Sequence, residues 1–245
     1  FGQKRYWLIG VLLAFTFMTR ATAGLGVLFF ALDVLFNRLN LMAKFKKLGL
    51  ILIPMAISGL ILMMYNFVRF DDPFNNGYLL ANDWRYSERQ RFEQLNYGLF
   101  KLENIPTNFY YYFLKSVDPV LLPIKSLWGN TYLLRPPYIM VGYPSTSYFL
   151  VSPIFLYIFR ADFRKKIVKL ALLTCFVILV FLISYYYTGF QQVGPRYLLD
   201  AQPFLYLILL NSFRVKVLSK FSKYLIFLSV IFNVYLFATL TKYYT

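Results

Sequence analysis

An arginine and an acidic residue stand between prolines in the most informative short motif of this sequence, Gly194-Pro195-Arg196-Tyr197-Leu198-Leu199-Asp200-Ala201-Gln202-Pro203-Phe204. The planar guanidinium of Arg196 suits a phosphate, because it can donate two parallel hydrogen bonds to it. The alternative is structural: Arg196 reaches lipid head groups, and Asp200 pairs with it from four residues further on. The residue types leave both roles open.

Four more charged residues lie next to apolar runs. Arg20 divides one run and Arg69 follows another, and an arginine in or beside a membrane is a functional hypothesis by default. Asp71 and Asp72 come next, as weak candidates for a catalytic or metal-binding role. The alternative is a helix-end cap or a loop pairing with Arg69, since an Asp-Asp-Pro step is common turn chemistry.

The composition is that of a membrane protein. Hydrophobic residues make up 59% of the chain against about 45–50% in soluble domains, and the mean hydropathy is +0.55. The chain has no histidine, which excludes Ser-His triads and His-ligated zinc within these residues, and its single cysteine excludes an intrachain disulfide and a cysteine metal site. We predict no metal ligands, and the need for a divalent metal stays open.

The net charge of +16 raises the question of nucleic acid, but the charge distribution argues against it. The basic residues form short clusters between apolar runs, within 37–48, 160–166 and 214–223. Clusters of this kind mark cytoplasmic loops. Segment 69–147 is nearly balanced, with eight Lys/Arg and seven Asp/Glu. We therefore predict contact with a membrane and none with nucleic acid.

The apolar runs predict about seven membrane segments. Residues 6–18 and 21–36 form a short hairpin with Arg20 near its tip; the rival interpretation is one long tilted helix with Arg20 in its middle. The other segments are 48–68, 148–159 with a kink at Pro153, 167–187, 198–213 and 224–240.

Segment 69–147 is the one long stretch that does not resemble a membrane span. Within it we expect a surface helix over 82–102, interruptions at Pro106 and Asn108, and a short amphipathic helix over 109–114. Prolines then predict an irregular stretch. The fold class is thus an all-α polytopic bundle with three regions: 1–68, an extracytoplasmic loop domain 69–147, and C-terminal membrane helices 148–245.

Four stretches, in order, resemble bacterial membrane glycosyltransferases of the C type, which are relatives of protein O-mannosyltransferases and lipid A aminoarabinose transferases. GPRYLLDAQPF resembles their G-x-R-Y-L-x-x-x-x-P signature. The other three stretches are LIGVLLAFTFMTRATAGLGVLFF, YNFVRFDDPFNNGY, and YGLFKLENIPTNFYYYFL followed by YFLVSPIFLYIF. Together they extend over about 200 of the 245 residues.

The resemblance implies a polyprenyl-phosphate sugar as donor and transfer to a cell-envelope glycan, lipid or protein at the external face of the bacterial inner membrane. Arg196, Tyr197, Arg20 and Arg69 would bind the donor. The base of such enzymes lies after the first span, so we expect it before Phe1, with this chain as a C-terminal portion. Asp71 and Asp72 depart from the family pattern, which has Gly and a small residue there.

Other functions fit the same pattern of spans and loops. An O-antigen polymerase or ligase also joins many spans to one large external loop. A non-catalytic membrane subunit or a transporter belongs to a different class. A transporter should show repeated halves with broken helices at matching positions, and the sequence shows no such repeat.

Overall fold

The computed structural model describes residues 3–75, 77, 92, 96, 98–126, 129–189, 192–213 and 218–244. The fold is mostly helical with one small sheet. It divides into two compact units, and each is described by itself. The first unit is Phe1–Lys101 with Phe163–Phe181, and the second is Leu102–Asp162 with Leu182–Thr245.

The first unit opens with three helices, α1 (Gln3–Thr19), α2 (Ala21–Gly24) and α3 (Val27–Leu35). Arg20 separates α1 from α2 because its backbone is extended, with φ −151° and ψ 115°. Tyr6 and Val34 share one buried cluster with Ile51. A continuous helix would hold Tyr6 and Val34 roughly 40 Å apart. The arms therefore lie side by side with the turn at Arg20, and the rival interpretation of one long helix is wrong.

Helix α4 (Leu41–Phe70) is 30 residues long and contains the predicted span 48–68. It begins at Leu41 because the Asn40 side chain caps it, accepting a hydrogen bond of 2.8 Å from the Ala43 backbone N–H. Gly10 of α1 lies directly on α4, and a Cβ atom there would come within 2.6 Å of the Leu50 carbonyl oxygen. The absent side chain lets the two backbones approach closely.

Helix α7 (Lys166–Ser184) is 19 residues long, and its first sixteen residues belong to the first unit. Lys166 Nζ lies 2.9 Å from Asp33 Oδ1 and donates to Asn37 Oδ1 over 2.9 Å. These contacts join the start of α7 to the end of α3.

The second unit begins with α5 (Asn104–Phe113), which is longer than the predicted helix 109–114. Pro106 does not interrupt it, because a proline in the first turn removes no intrahelical hydrogen bond. Asn108 does not interrupt it either: its Nδ2 donates to the backbone oxygens of Ile183 and Tyr185 over 2.8 and 2.6 Å. Most of the predicted surface helix 82–102 lies outside the described residues, and residues 98–102 at its end are not helical.

The prediction of a helical fold is confirmed in part: the described chain is mostly helical, but the stretch expected to be irregular contains an antiparallel β-hairpin, so the fold is not all-α. Strands β1 (Asp118–Ser126) and β2 (Gly129–Met140) pair from Asp118↔Met140 to Ser126↔Gly129. Each strand of a two-stranded sheet keeps one edge without a partner strand, and proline is tolerated there because no ladder hydrogen bond is lost.

Two predicted spans, 148–159 and 198–213, do not form long helices. The first consists of α6 (Tyr148–Val151) and a 3₁₀ helix η1 (Pro153–Arg160). The second consists of a 3₁₀ helix η2 (Arg196–Asp200) and α8 (Gln202–Ser212). Helix α8 is about 16 Å long, too short for a hydrocarbon core of about 30 Å. One side of it is buried in the protein through Phe204, Leu205, Ile208 and Leu209, whereas Tyr206 and Leu210 on the other side are exposed.

The last helix is α9 (Lys220–Tyr244). Among the described residues, three helices are long and apolar enough to cross a membrane: Leu41–Phe70, Lys166–Ser184 and Lys220–Thr241. Arg5–Thr19 and Ala21–Leu35 are apolar but shorter. The described chain is thus a membrane protein with three candidate spans, and the predicted number of seven is wrong.

Candidate functional site

The sequence motif around Arg196 forms one wall of a cleft in the second unit. The cleft has a volume of about 250 Å³, and most of its lining is apolar. Arg196 brings a positive charge to this wall. Tyr148, Ser152 and Gln202 add hydroxyl and amide groups. An apolar cleft with a few convergent polar groups is the usual form of a small-molecule site.

Arg196 is exposed and rests on its neighbour in the sequence. Its Cζ atom lies 5.2 Å from the centre of the Tyr197 ring, a distance at which a cation is attracted to the face of an aromatic ring. The Tyr197 ring in turn lies 6.1 Å from that of Tyr185. Tyr197 thus supports the guanidinium from outside the cleft, while Arg196 itself lines it.

Another part of the lining comes from α6 and the residue that follows it. Tyr148 is buried and packs on Phe155 with 5.1 Å between ring centres. Its hydroxyl lies 2.9 Å from Gln202 Oε1 and donates a hydrogen bond to it. This bond fixes two lining residues that are 54 positions apart in the sequence.

Two contacts fix Val151, which also lines the cleft. A Cβ atom on Gly194 would lie 2.9 Å from Val151 Cγ2, so the absent side chain lets the loop before η2 approach α6 closely. Asn233 Nδ2 of α9 donates to the Val151 carbonyl oxygen over 2.8 Å. The cleft is therefore joined directly to a helix that can cross a membrane.

Asp200, the acidic residue of the motif, lies in the core. It is only 6% exposed, whereas Arg196 is exposed, and it is not among the residues that line the cleft. A substrate in the cleft meets Arg196 and not Asp200.

The other predicted donor-binding residues, Arg20 and Arg69, belong to the first unit. Arg20 is half-buried at the turn of the hairpin, and its backbone oxygen accepts from Ala23 and Gly24. Arg69 is exposed in the last turn of α4, where a cation complements the helix dipole. Its Nη1 donates to the Tyr65 hydroxyl over 2.8 Å.

Asp71 and Asp72 lie at the C-terminal end of α4. Asp71 takes the left-handed conformation that terminates many helices, with φ 55° and ψ 17°. Asp72 Oδ1 accepts a hydrogen bond of 2.9 Å from the Phe74 backbone N–H, which forms an Asx turn. The backbone conformation of Asp71 and the hydrogen bond of Asp72 both correspond to the structural alternative, in which these residues end the helix. A catalytic role for either residue stays a prediction.

Tyr148, Ser152 and Gln202 were not predicted to be site residues. Gln202 stands in the quoted motif, six residues after Arg196, but nothing in the sequence connects it with Tyr148. Within the part of the chain that the structure describes, no three Asp, Glu, Cys or His residues are grouped as metal ligands would be.

Comparison of the chain with protein-family models, with curated proteins and with solved structures finds no match.

Proposed function

We propose that this chain is part of a membrane glycosyltransferase, and that the cleft beside Arg196 binds the phosphate of a polyprenyl-phosphate sugar. The observation that carries the proposal is an exposed arginine on the wall of a largely apolar cleft, joined to a candidate span. A lipid-linked phosphate combines the same two properties, an apolar chain and a compact negative charge.

The chemistry of transfer explains the need for a cation. When the bond between sugar and phosphate breaks, negative charge grows on the phosphate oxygen that leaves. A guanidinium directed at that oxygen stabilises the transition state more than the ground state, and this difference accelerates the reaction. Arg196 is suited to this role because its planar fork can hold two phosphate oxygens at once.

The level of the cleft along α9 supports access from the bilayer. Asn233, which holds Val151, is eight residues before Thr241 and thirteen after Lys220. At 1.5 Å per residue it lies about 12 Å from one end of the span and about 20 Å from the other. With the basic residues Lys220 and Lys223 on the cytoplasmic side, the cleft lies in the external half of the membrane.

A carboxylate that could deprotonate the acceptor is not found among the described residues of the cleft. The base would therefore act from outside this cleft, and the resemblance assigns that role to an acidic residue in an external loop.

A transfer assay tests the function. Membrane vesicles with and without the overproduced full-length protein that contains this chain are given radiolabelled polyprenyl-phosphate mannose or aminoarabinose. We expect the protein to speed the release of polyprenyl phosphate and the labelling of an envelope acceptor. Equal rates with and without it, from both donors, would contradict the proposal.

Sidedness is tested separately with single cysteines in a Cys175→Ser background. An impermeant maleimide should label Asp72→Cys in intact cells and Lys220→Cys, at the start of α9, only after permeabilisation. Labelling of Lys220→Cys in intact cells would overturn the assignment of the cleft to the external half.

A further inference from the structure

The β-hairpin exposes leucines on both of its faces. Leu121 pairs with Leu134 and Leu122 with Leu133, and these four residues, the hairpin leucines, are 42–56% exposed. Successive residues of a strand point to opposite faces, so each face carries one cross-strand leucine pair. Ile124 on one face and Tyr132 on the other are exposed as well.

This arrangement is unfavourable in water. A hairpin in a soluble protein normally buries one apolar face and keeps the other polar, and an isolated two-stranded hairpin is marginal on its own. A protein partner packed on one face would leave the leucine pair of the other face in water. A bilayer surrounds both faces with the same apolar medium.

The base of the hairpin lies beside a candidate membrane span. The Tyr235 hydroxyl of α9 donates a hydrogen bond to the Pro137 carbonyl oxygen of β2. Val141, just after β2, belongs to a buried cluster with Leu236 of α9. Tyr235 is six residues before the end of the span at Thr241, or about 9 Å along the helix. The hairpin base is therefore at the level of the membrane.

The backbone limits how deep the hairpin can go. The outer edge of each strand has polar groups without a partner strand, which cost several kcal/mol each in hydrocarbon. Prolines remove some of the N–H donors, at 119 and 123 in β1 and at 136 and 137 in β2. The remaining groups need water or head groups. At the boundary between head groups and acyl chains, the polar edge groups can bond to head groups or water while the leucine side chains contact acyl chains.

We propose that the hairpin leucines insert into the boundary between head groups and acyl chains, beside α9, so that the hairpin anchors the second unit to the surface of the bilayer. The proposal depends on the exposed leucine pairs and on the contact with α9, and not on the glycosyltransferase function.

The experiment uses the full chain in nanodiscs with a fluorescent NBD label on one cysteine, in the Cys175→Ser background. Leu122→Cys reports on one face and Leu134→Cys on the other. Lipids carry a nitroxide quencher either high or low on the acyl chain. Leu60→Cys, exposed in the middle of α4, is the reference for a deep position.

We expect blue-shifted emission and quenching by the shallow nitroxide at both 122 and 134, with Leu60→Cys quenched more by the deep one. Quenching at neither position would place the hairpin in water, and quenching at only one would indicate a protein partner on the other face. Either result overturns the proposal. If a labelled variant fails to elute as a folded monodisperse protein, Leu133→Cys and Leu121→Cys report on the same two faces.

Discussion

The Tyr148 hydroxyl lies 2.9 Å from Gln202 Oε1 and holds together two residues that line the cleft. Tyr148→Phe removes this hydrogen bond and keeps the ring that packs on Phe155. Loss of one neutral hydrogen bond should lower the free energy of unfolding by about 0.5–1.5 kcal/mol. The measurement is denaturant unfolding in mild detergent.

Tyr206→Phe is the matched control for Tyr148→Phe. Tyr206 also packs on Phe155, with 5.0 Å between ring centres, but it is 48% exposed and its hydroxyl makes no hydrogen bond within the described residues. Equal stability losses in the two variants would show that the Tyr148–Gln202 bond contributes nothing specific.

Gly10→Ala should separate α1 from α4. The added Cβ would lie 2.6 and 2.8 Å from the carbonyl oxygens of Leu50 and Ile51, which are backbone atoms and cannot rotate away. We expect a loss of about 1–3 kcal/mol in unfolding free energy. At Gly49 of α4 the nearest atom to an added Cβ is 3.9 Å away, so Gly49→Ala should be neutral or stabilising. Equal effects at both positions would contradict this account of the helix contact.

The Asp71→Gly variant tests whether Asp71 ends α4 or takes part in catalysis. Glycine adopts the left-handed conformation without steric cost, so the variant should be as stable as the natural protein or up to about 1 kcal/mol more stable. Sugar transfer per folded molecule should not change. A folded Asp71→Gly protein that no longer transfers sugar would assign Asp71 to the chemistry.

Tyr157 should ionise at a lower pH than an ordinary tyrosine. A hydrogen bond from Ser222 is the main cause of its lowered pKa; desolvation opposes it, while Ser219 and the charge of Arg160 add to it. Because the folded pKa lies below the unfolded value of about 10, ionisation stabilises the fold above that value. This contribution disappears as the pH falls through the lowered pKa, and it is absent at neutral pH.

The difference in phenolate absorbance between the natural protein and Tyr157→Phe gives the pKa of Tyr157. Ser222→Ala should raise this pKa, whereas Ser229→Ala, on the same helix and bonded to Ile226 O, should leave it unchanged. A pKa that does not respond to Ser222→Ala would refute the assigned cause.

Long apolar runs were the part of the fold that could be predicted from the sequence. Predicted spans 48–68, 167–187 and 224–240 coincide with α4, α7 and α9. A run of about twenty apolar residues is typical of a helix that crosses a membrane. The start of α4 was seven residues earlier than predicted, since the capping side chain of Asn40 decides it. Arg20 was placed correctly at a turn because a bare charge in the middle of a span is costly.

Long-range pairing could not be predicted. Hydropathy does not distinguish α8, which packs one side against protein, from a helix that crosses the bilayer. The hairpin was not predicted because it contains prolines at 119, 123, 136 and 137. Prolines argue against a strand unless they lie on an edge that has no partner strand. The motif around Arg196 was visible in the sequence, but the rest of the cleft lining depends on the contact of Tyr148 with Gln202, 54 positions away.

Binding of polyprenyl phosphate to the protein in nanodiscs, compared between Arg196→Lys and Arg160→Lys, tests the central claim most directly. Each arginine is exposed over a tyrosine ring, with Cζ 5.2 Å above Tyr197 and 4.9 Å above Tyr157, but only Arg196 lines the cleft. Lysine keeps the charge and loses the planar fork. We predict that Arg196→Lys weakens binding about ten- to a hundredfold, the equivalent of one charge-assisted hydrogen bond of about 1.5–3 kcal/mol. Arg160→Lys should bind as tightly as the natural protein. Unchanged binding in a folded Arg196→Lys protein, or equal losses in both variants, would contradict the account.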